Sequence, residues 1–402
     1  MSKRSDLPPH DAAWNDSRWR SRVRSRLLDW FVDNARDLPW RRTSDPYRIW
    51  ISEIMLQQTQ VATVIPYYQR FTELFPTVAD MAAADEQDLL KLWEGLGYYR
   101  RARSMHQAAR AVVQRHNGKF PTDFDSVLAL PGIGRYTAGA ILSISRGKRL
   151  PILEGNTVRV FSRWVALQAP PSQTESNRLL WQIAESMLPK ADQQDDRSSK
   201  SSARPDARTH GRGPGAFNQA AMELGALVCT PKNPRCDCCP VKGNCRANRE
   251  GLQNEIPGKV KNIAYEDRTE FALIIASQAK REDADPDATQ YLIRPLPDGG
   301  RWAGLWDFPR TLDQTFESVE TATTFLSQTV GCALSPGIKL KSIKHAVTKY
   351  RITLHVHVAS CPKARHKIAS PWRFVSLPEM AELPMSVTGR KIANFLAKQR
   401  EA

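Results

Sequence analysis

Four cysteines near the middle of the chain constrain its fold more than any other feature. Cys229, Cys236, Cys239 and Cys245 follow the spacing C-x6-C-x2-C-x5-C, which places four thiols in a single loop. Tetrathiolate sites of this kind hold either a zinc ion or a [4Fe-4S] cluster. Zinc ribbons usually carry two C-x2-C pairs, whereas one pair is flanked by single cysteines here. The spacing therefore favours the cluster over zinc.

The other three cysteines are expected to lie outside this metal site. Cys238 adds a spare thiol to the loop, and Cys332 and Cys361 lie far along the chain, where we expect ordinary buried or surface thiols. Disulfides are the alternative, but seven is an odd count and no signal peptide precedes them. No apolar run is long enough to cross a bilayer. We expect a soluble, cytoplasmic protein without membrane contact.

The charge of the chain favours a polyanionic partner. Its 402 residues exceed one ordinary core, and its formal net charge is +16. Nucleic acid is the leading candidate for such a partner. Basicity that reflects composition alone, without specific binding, is the alternative that charge leaves open.

Composition and periodicity divide the chain into several parts. From Trp19 onward the pattern is helical, with Val23, Leu27 and Trp30 on one face. Residues 190–215 are rich in Asp, Gln, Ser, Arg and Pro, which predicts a disordered insertion. We predict a flexible N-terminus (1–18), an all-α domain (19–228, with the insertion at 190–215), the cysteine loop (229–248), a connector (249–266) and an α+β module (267–398).

Strand-like alternation marks the α+β module. Apolar side chains at 350–360 alternate with His355 and His357, and residues 270–277 and 290–296 are also strand-like. Helices are predicted near 316–330 and 387–398. The two histidines are compatible with metal chelation, but polar side chains on the wet face of a half-buried strand are commoner. We expect the latter arrangement.

A glycine hairpin between two helical segments is the second strong signal. The sequence LPGIGRYTAGA spans residues 130–140, with Gly132 and Gly134 in the turn and a helix that starts at Arg135. The backbone N–H groups of such a turn and the N-terminus of the next helix point at a phosphate. We expect Gly132, Gly134 and Arg135 to contact a DNA backbone without reading its sequence. A plain tight turn is the alternative.

Together these motifs carry a family resemblance. The hairpin, LEGNTVR at 153–159 and the cysteine loop resemble the helix-hairpin-helix DNA glycosylase superfamily that includes endonuclease III. LPWR at 38–41, WISEIMLQQTQVATVIPYY at 50–68 and WEGLGYY at 93–99 look like the narrower group of MutY-type adenine DNA glycosylases. The resemblance is strong over residues 20–260 and weaker beyond. It implies a multidomain protein with an all-α helix-hairpin-helix glycosylase core, a [4Fe-4S] loop and an α+β Nudix-like domain.

Two carboxylates fit the chemistry that the resemblance implies. Cleavage of the N-glycosidic bond of adenine needs a general acid and a group that stabilises a cationic sugar. Glu53 lies among apolar helix neighbours that raise its pKa, so it is the predicted acid. Glu154 stands where the family has the aspartate that stabilises or attacks the sugar, and its extra methylene makes reduced activity a hypothesis to test. The resemblance assigns Tyr136 and Asn156 to position this carboxylate, and Tyr136 replaces the Schiff-base lysine of bifunctional enzymes.

The resemblance also assigns residues that bind the substrate, because the enzyme must extrude the adenine from duplex DNA. The intercalating and opposite-base residues correspond to Gln58, Thr59, Leu96 and Tyr98, and the adenine pocket corresponds to Arg36, Leu38, Trp40, Arg41 and Gln219. Each alone also fits a structural role, so their joint occurrence favours the assignment. In the C-terminal module Thr348 keeps a hydroxyl for the lesion, whereas Lys349 replaces the usual histidine. Helix 316–330 lacks the glutamate cluster of a catalytic Nudix box.

We therefore predict a monofunctional adenine DNA glycosylase that acts on double-stranded DNA in which adenine is mispaired with 8-oxoguanine or guanine. We expect a monomer in the cytoplasm of a bacterial-type cell, associated with the nucleoid, whose cluster serves structure or DNA contact. Two alternatives stay open. An endonuclease III-like glycosylase for oxidised pyrimidines is disfavoured by Tyr136 and by the C-terminal module. A protein that binds mispairs without catalysis is favoured by Glu154 alone.

Overall fold

The chain divides into two units, each with its own buried core. A computed structural model describes residues 8–190, 211–258, 264–277, 289–361, 368 and 370–401. The first unit comprises Met1–Ala83 and Ser104–Lys261, and the second comprises Ala84–Arg103 and Asn262–Ala402. A helical region followed by a mixed α+β region results, as the sequence predicts.

Helices dominate the first 250 residues. They are α1 (Ser17–Asn34), α2 (Pro46–Leu56), α3 (Val61–Leu74), α4 (Val78–Ala83), α5 (Glu86–Leu92), α6 (Arg100–His116), α7 (Phe124–Leu128), α8 (Arg135–Arg146), α9 (Gly155–Trp164), α10 (Thr174–Met187), α11 (Pro214–Leu227) and α12 (Arg246–Glu250). Asp16 and Asp45 cap α1 and α2 because their side chains accept hydrogen bonds from backbone N–H groups of the first turn. Gly147, with a φ of 65°, ends α8 in the left-handed conformation. Helix α5 and the start of α6 belong to the second unit.

A large core of the first unit brings together α1, α9, α10 and α11. Side chains three or four positions apart on α1 are buried there, and Val23 and Leu27 are inaccessible to solvent. Trp164 of α9 packs edge-on against Trp19, with ring centroids 6.3 Å apart. Cys245 belongs to the same cluster, so this core also holds the cysteine loop.

Two three-stranded sheets organise the second unit. Its remaining elements are the strands β1 (Glu266–Ile275), β2 (Gln290–Pro295), β3 (Trp306–Asp307), β4 (Ser335–Val347), β5 (Tyr350–Ser360) and β6 (Arg373–Ser376) and the helices α13 (Val319–Val330), α14 (Leu377–Glu382) and α15 (Val387–Glu401). One sheet has the order β1-β5-β4, with β1 parallel and β4 antiparallel to β5, and the other is antiparallel β3-β2-β6. Successive side chains of β1 alternate between two clusters: Leu273 and Ile275 pack with α13, and Ala272 and Ile274 with α14 and α15.

Strand β4 was missed by the sequence analysis. It lies at the edge of its sheet and is mostly exposed, so it lacks the apolar alternation that marks a strand. Its partner β5 matches the strand predicted at 350–360. On β5, His355 Nδ1 lies 2.8 Å from Ser342 Oγ, and His357 Nδ1 lies 3.3 Å from the Gly337 carbonyl oxygen. Both histidines thus have hydrogen-bond partners on β4.

Two cysteines that we expected to be ordinary thiols form a disulfide instead. Cys332 and Cys361 are bonded, with their Cα atoms 6.5 Å apart, so that expectation is wrong. The bond lies at the open end of the β4–β5 hairpin, beside the paired residues Ser335 and Ser360. The two cysteines are 29 positions apart, and they meet because the hairpin brings them together.

Several predicted boundaries stay predictions. The insertion at 190–215 falls mainly outside the described residues, and α11 begins at Pro214, within its last positions. The predicted N-terminal segment 1–18 includes a short helical turn at Ala12–Asn15. The segment Ala84–Arg103, predicted as part of the helical domain, groups with the C-terminal unit. In the described part of the chain no helix is both long and apolar enough to cross a membrane.

Candidate active site

The local sequence of α2 determines the surroundings of Glu53. Asp45 caps this helix by accepting a hydrogen bond from Tyr47 N at 3.0 Å, and Pro46 occupies its first position. The helix then buries every residue from 49 to 55, and Glu53 is only 6% exposed. A carboxyl group enclosed in this way loses the hydration that favours its ionised form.

A hydrogen bond joins Glu53 to Tyr136. Tyr136, in the first turn of α8, donates its hydroxyl to Glu53 Oε2 at 2.6 Å. Burial raises the pKa of Glu53 to about 7, against the lowering effect of the Tyr136 hydroxyl and with a further rise from the Glu154 carboxylate. Burial and the same two carboxylates raise the pKa of Tyr136 well above its ordinary value. Glu53 is thus partly protonated near neutral pH, as a general acid requires.

Glu154 is the N-cap of α9, and its carboxylate folds back onto the first turn. Oε1 accepts a hydrogen bond from Thr157 N at 2.9 Å, and Oε2 accepts from Asn156 N at 2.9 Å and from Asn156 Nδ2 at 3.3 Å. Burial raises the pKa of Glu154 above its ordinary value, and the N–H groups of Asn156 and Thr157 offset only part of that rise. Three donors and a helix N-terminus stabilise a carboxylate. Glu154 therefore has hydrogen-bond donors in place for the carboxylate that a cationic sugar would face.

Most predicted site residues line one cavity of about 630 Å³ in the first unit. They are Arg36, Leu38, Trp40, Arg41, Glu53, Gln58, Thr59, Tyr136, Glu154, Asn156 and Gln219. The volume is typical of small-molecule sites and accommodates a purine base. Trp40 is buried and packs edge-on to Tyr68, with centroids 5.4 Å apart, so it also supports the wall. Gln58 has a φ of 58°, a conformation that is rare outside glycine and clusters at functional sites.

Glu223 also lines this cavity, and the sequence analysis missed it. Its buried carboxylate accepts two hydrogen bonds each from the Arg36 and Arg41 side chains, at 2.7 to 3.0 Å. Burial alone would raise the pKa of Glu223, but the arginine hydrogen bonds lower it to about 2. One sequence signal was available, because Glu223 follows Gln219 by one turn in the largely apolar α11. Glu223 fixes both arginines of the predicted adenine pocket.

Removal of this charge is expected to destabilise the first unit. In Glu223→Gln the buried Arg41 and the half-buried Arg36 lose their counter-ion. The loss at Arg41 is the larger effect, and breaking such a buried pair costs about 3–5 kcal/mol of unfolding free energy. The pKa of Glu223 is lowered from an ordinary 4.5 to about 2. The wild-type contribution is therefore complete above about pH 4.5 and is lost as the pH falls toward 2.

Urea unfolding followed by tryptophan fluorescence measures this effect. The difference between Glu223→Gln and wild type should be smaller at about pH 3 than at pH 7, because part of the wild-type contribution is already lost. Glu185→Gln, at an exposed position of α10, is the matched control and should change little. Equal differences at the two pH values would contradict the role assigned to Glu223.

Three predicted residues lie in the second unit. Tyr98 and Thr348 line the same cavity of about 680 Å³ there. Both have left-handed backbones, with φ values of 48° and 51°. Leu96 is buried and lines neither this cavity nor the one around Glu53. Lys349 forms an ion pair with Glu266 at 2.5 Å, so its charge is partly neutralised within the unit.

The glycine hairpin connects α7 to α8 as predicted. Gly132 has a φ of 77°, and a Cβ at this position would lie 2.5 Å from Ser104 Cβ, so a larger residue does not fit. Gly134 is the N-cap of α8. Because glycine has no side chain to cap the first turn, the N-terminus of the helix stays exposed. The Arg135 guanidinium stacks on the Trp181 ring, 3.8 Å from its centroid. This geometry suits an anion, and its contact with DNA stays a prediction.

The four spaced cysteines line one small cavity beside α9. They are Cys229, Cys236, Cys239 and Cys245. Cys238 is exposed, and its thiol lies 3.4 Å from the Arg235 carbonyl oxygen. Burial raises the pKa of Cys239 to about 12 and that of Cys245 to about 11. Thiolates at these positions need a nearby positive charge, which the iron or zinc of a tetrathiolate site supplies.

Arg159 ties the cysteine loop to the active site. From within α9 its guanidinium donates to the Cys229 carbonyl at 2.6 Å, to the Gly225 carbonyl at 2.7 Å and to Asn156 Oδ1 at 2.8 Å. Helices α9 and α11 are so close that a Cβ at Gly225 would lie 2.6 Å from Asn156 Cβ. One helix thus presents Glu154 and Asn156 to the cavity and holds the loop along its length.

Known proteins match both parts of the chain. Residues 51–186 match the HhH-GPD superfamily base excision DNA repair protein model, and residues 285–394 match the NUDIX domain model. The chain is 31% identical to the adenine DNA glycosylase of Mus musculus over 94% of its own length and 78% of that protein. It is also 31% identical to the Arabidopsis thaliana protein of that name, over 93% of the chain and 64% of that protein. The chain is 35% identical to the adenine DNA glycosylase of Buchnera aphidicola subsp. Schizaphis graminum, over 73% of the chain and 76% of that protein.

The mouse match extends across both units of the chain. The HhH-GPD model includes Glu53 and the glycine hairpin, and the NUDIX model includes the strands β2 to β6 of the second unit. The predicted fold class is thereby confirmed. The chain belongs to the adenine DNA glycosylase family, with a helix-hairpin-helix glycosylase core followed by a Nudix-like domain.

Proposed function

We propose that the protein is a monofunctional glycosylase that removes adenine mispaired with 8-oxoguanine or guanine in duplex DNA. The observation that carries this proposal is the hydrogen bond of 2.6 Å between Tyr136 and Glu53, in a cavity that also holds Glu154. The relatives named adenine DNA glycosylase support the same base as substrate.

Glu53 supplies the proton that makes adenine a leaving group. It transfers this proton to a ring nitrogen of the flipped base, and the C1′–N9 bond breaks with its electron pair going to the base. The cationic sugar that forms is stabilised by the Glu154 carboxylate, which its three N–H donors hold in place. Water then adds to C1′ and returns a proton to Glu53. The products are free adenine and an abasic site.

Tyr136 limits the reaction to base removal. Strand cleavage through a Schiff base needs an amine that attacks the opened sugar. The phenol at position 136 is bound to Glu53, and no lysine is among the described residues that line the cavity. These features disfavour the endonuclease III-like alternative, and we expect an abasic product without enzymatic strand cleavage.

Single-turnover release of adenine from defined duplexes tests the proposal. Adenine is placed opposite 8-oxoguanine, guanine or thymine, and we expect release in the first two cases and none opposite thymine. Tyr98 and Thr348, which share one cavity, are proposed to contact the oxidised base, so release opposite 8-oxoguanine should be faster than opposite guanine. Tight binding without any release would support the alternative of a mispair-binding protein, which Glu154 alone favours.

The rate of release is expected to fall as the pH rises above neutrality. Glu53 must be protonated, and its pKa is about 7. The single-turnover rate should therefore be level below about pH 6, fall to about half near pH 7 and drop about tenfold per pH unit above about pH 8. A pH profile measured with the 8-oxoguanine duplex checks this expectation. A rate that stays constant from about pH 6 to about pH 9 would exclude Glu53 as the acid.

We also assign a [4Fe-4S] cluster to the cysteine loop. The four thiols line one cavity, and Arg163 donates to Cys229 Sγ at 3.2 Å. The spacing C-x6-C-x2-C-x5-C, with one C-x2-C pair flanked by single cysteines, supports the cluster over zinc. When bound, the cluster would fix the loop against α9, and no step of adenine release passes through it.

Loss of one buried ligand is expected to remove the cluster. In Cys245→Ser the iron content should fall from about four atoms per chain to near zero, together with the visible absorption of the cluster and the thermal stability. Cys238→Ser changes an exposed thiol of the same loop. This variant should keep the iron content, the visible absorption and the thermal stability of the wild type. Zinc in place of iron in the wild type, or equal iron in both variants, would overturn the assignment.

A further inference from the structure

A group of arginines on α1 has no part in the active site. Arg18, Arg20, Arg22, Arg24 and Arg26 alternate with other residues along the first half of this helix. At about 100° per residue, Arg18, Arg22 and Arg26 fall on one face, and Arg20 and Arg24 fall on another. The first three are exposed. We call these three residues the α1 stripe, which extends for about 12 Å along the helix axis.

Little negative charge neutralises this helix. In the ranges that the structure describes, α1 forms one ion pair, between its Asp29 and Arg212 at 2.8 Å. This pair neutralises a carboxylate of α1 and none of its arginines. Arg20 and Arg24 donate to backbone carbonyl oxygens at 2.8 and 3.1 Å, which leaves their charge in place. Burial and the nearby charges of Arg20 and Arg149 lower the pKa of Arg24. Positive potential therefore accumulates around α1.

The α1 stripe continues onto the cysteine loop. Arg26 Nη1 lies 3.4 Å from Asn244 Oδ1 and 3.8 Å from the position that a Cβ would take at Gly243. The neighbouring Lys242 is exposed, and its ammonium donates to the Asp237 carbonyl oxygen at 3.1 Å. One basic surface thus extends from the start of α1 to the segment that holds the last two spaced cysteines.

This arrangement works against the stability of the helix. Like charges four positions apart on a helix repel each other, as in Arg18 and Arg22 or Arg22 and Arg26. Positive charge in the first turn also opposes the helix dipole. Residues that destabilise their own helix are typical of functional surfaces, where binding requires them. Binding of a polyanion offsets this repulsion, because each guanidinium is then attracted to a phosphate.

We infer that the α1 stripe, together with Lys242, is a second binding surface for the phosphate backbone of duplex DNA, outside the cavity that receives the adenine. Guanidinium groups match the geometry of phosphate and bind it through paired hydrogen bonds. Side chains one helical turn apart present such groups in a row without contact to base edges. The surface therefore adds affinity without adding sequence or lesion specificity.

The test measures the salt dependence of binding to an undamaged duplex by fluorescence anisotropy. In Arg18→Gln/Arg22→Gln the slope of log Kd against log salt should decrease by about two, since each lost phosphate contact removes about 0.9. Affinity at low salt should fall at least about fivefold, and the unfolding temperature should stay equal or rise, because repulsion is removed. Arg18→Lys/Arg22→Lys keeps the charge and should keep most of the slope.

A matched variant separates a defined surface from net charge. Lys391→Gln/Lys398→Gln removes two exposed charges from α15 and should leave the slope unchanged. An unchanged slope in the arginine variant, or an equal loss in the lysine variant, would overturn the inference. Undamaged DNA is not a substrate, so the result does not depend on adenine release, and a protein without glycosylase activity would still give a clear answer.

Discussion

Glu53→Gln is expected to abolish most adenine release while the protein still folds and binds DNA. Glutamine has nearly the shape of a protonated glutamate but carries no acidic proton. General acid catalysis contributes about 10²–10⁴-fold, so the single-turnover rate should fall by that factor. The Tyr136 hydroxyl, now 2.6 Å from Glu53 Oε2, still finds an acceptor in the amide oxygen. The hydrogen bond that joins α2 to α8 is thereby kept.

The measurement compares adenine release and duplex affinity in the same preparation. The rate is taken from single-turnover reactions on the 8-oxoguanine duplex and the affinity from anisotropy with the same DNA. Glu185→Gln, an exposed change on α10, should match wild type in both. If Glu53→Gln retained a rate within about fivefold of wild type, proton donation by Glu53 would be ruled out, because a lost acid costs far more.

This site was largely accessible from sequence because its main elements are local. The Asp45–Pro46 start and the apolar neighbours of Glu53 are encoded within or next to one helix, α2 (Pro46–Leu56). The start of α8 at Arg135 was equally visible from the glycine turn. Such signals depend on residues a few positions apart. A helix cap, a burial pattern and the raised pKa of a carboxyl group all follow from them.

The features that were missed depend on contacts between distant parts of the chain. Glu223 became part of the site through Arg36 and Arg41, which lie more than 180 positions away. The Cys332–Cys361 disulfide exists because a hairpin with an exposed, unpredicted strand joins the two thiols. Neither secondary-structure propensity nor hydrophobic periodicity predicts a contact between such distant residues. Both errors thus concern tertiary partners, whereas the elements themselves follow local rules.

The second large effect is expected at Glu154. Glu154→Asp should raise the single-turnover rate, by up to about a hundredfold, because a displacement of about 1 Å in a catalytic group costs about that factor. In the wild type the longer side chain curls back so that Oε1 and Oε2 reach the N–H groups of Thr157 and Asn156. Aspartate is a preferred N-cap and makes the same contacts with a shorter side chain. Its carboxylate would then take a different position beside the sugar.

Two further variants separate charge from placement. Glu154→Gln keeps the length of the side chain but removes its charge, so its rate should fall well below that of wild type. Asp16→Glu makes the reverse N-cap change at α1, remote from the cavity lining, and should leave the rate unchanged. Equal rates for Glu154→Asp and wild type would mean that the turn before α9 already places the glutamate correctly. A slower Glu154→Asp would mean that the cavity is adapted to the longer side chain, and the extra methylene would then be a requirement of this enzyme.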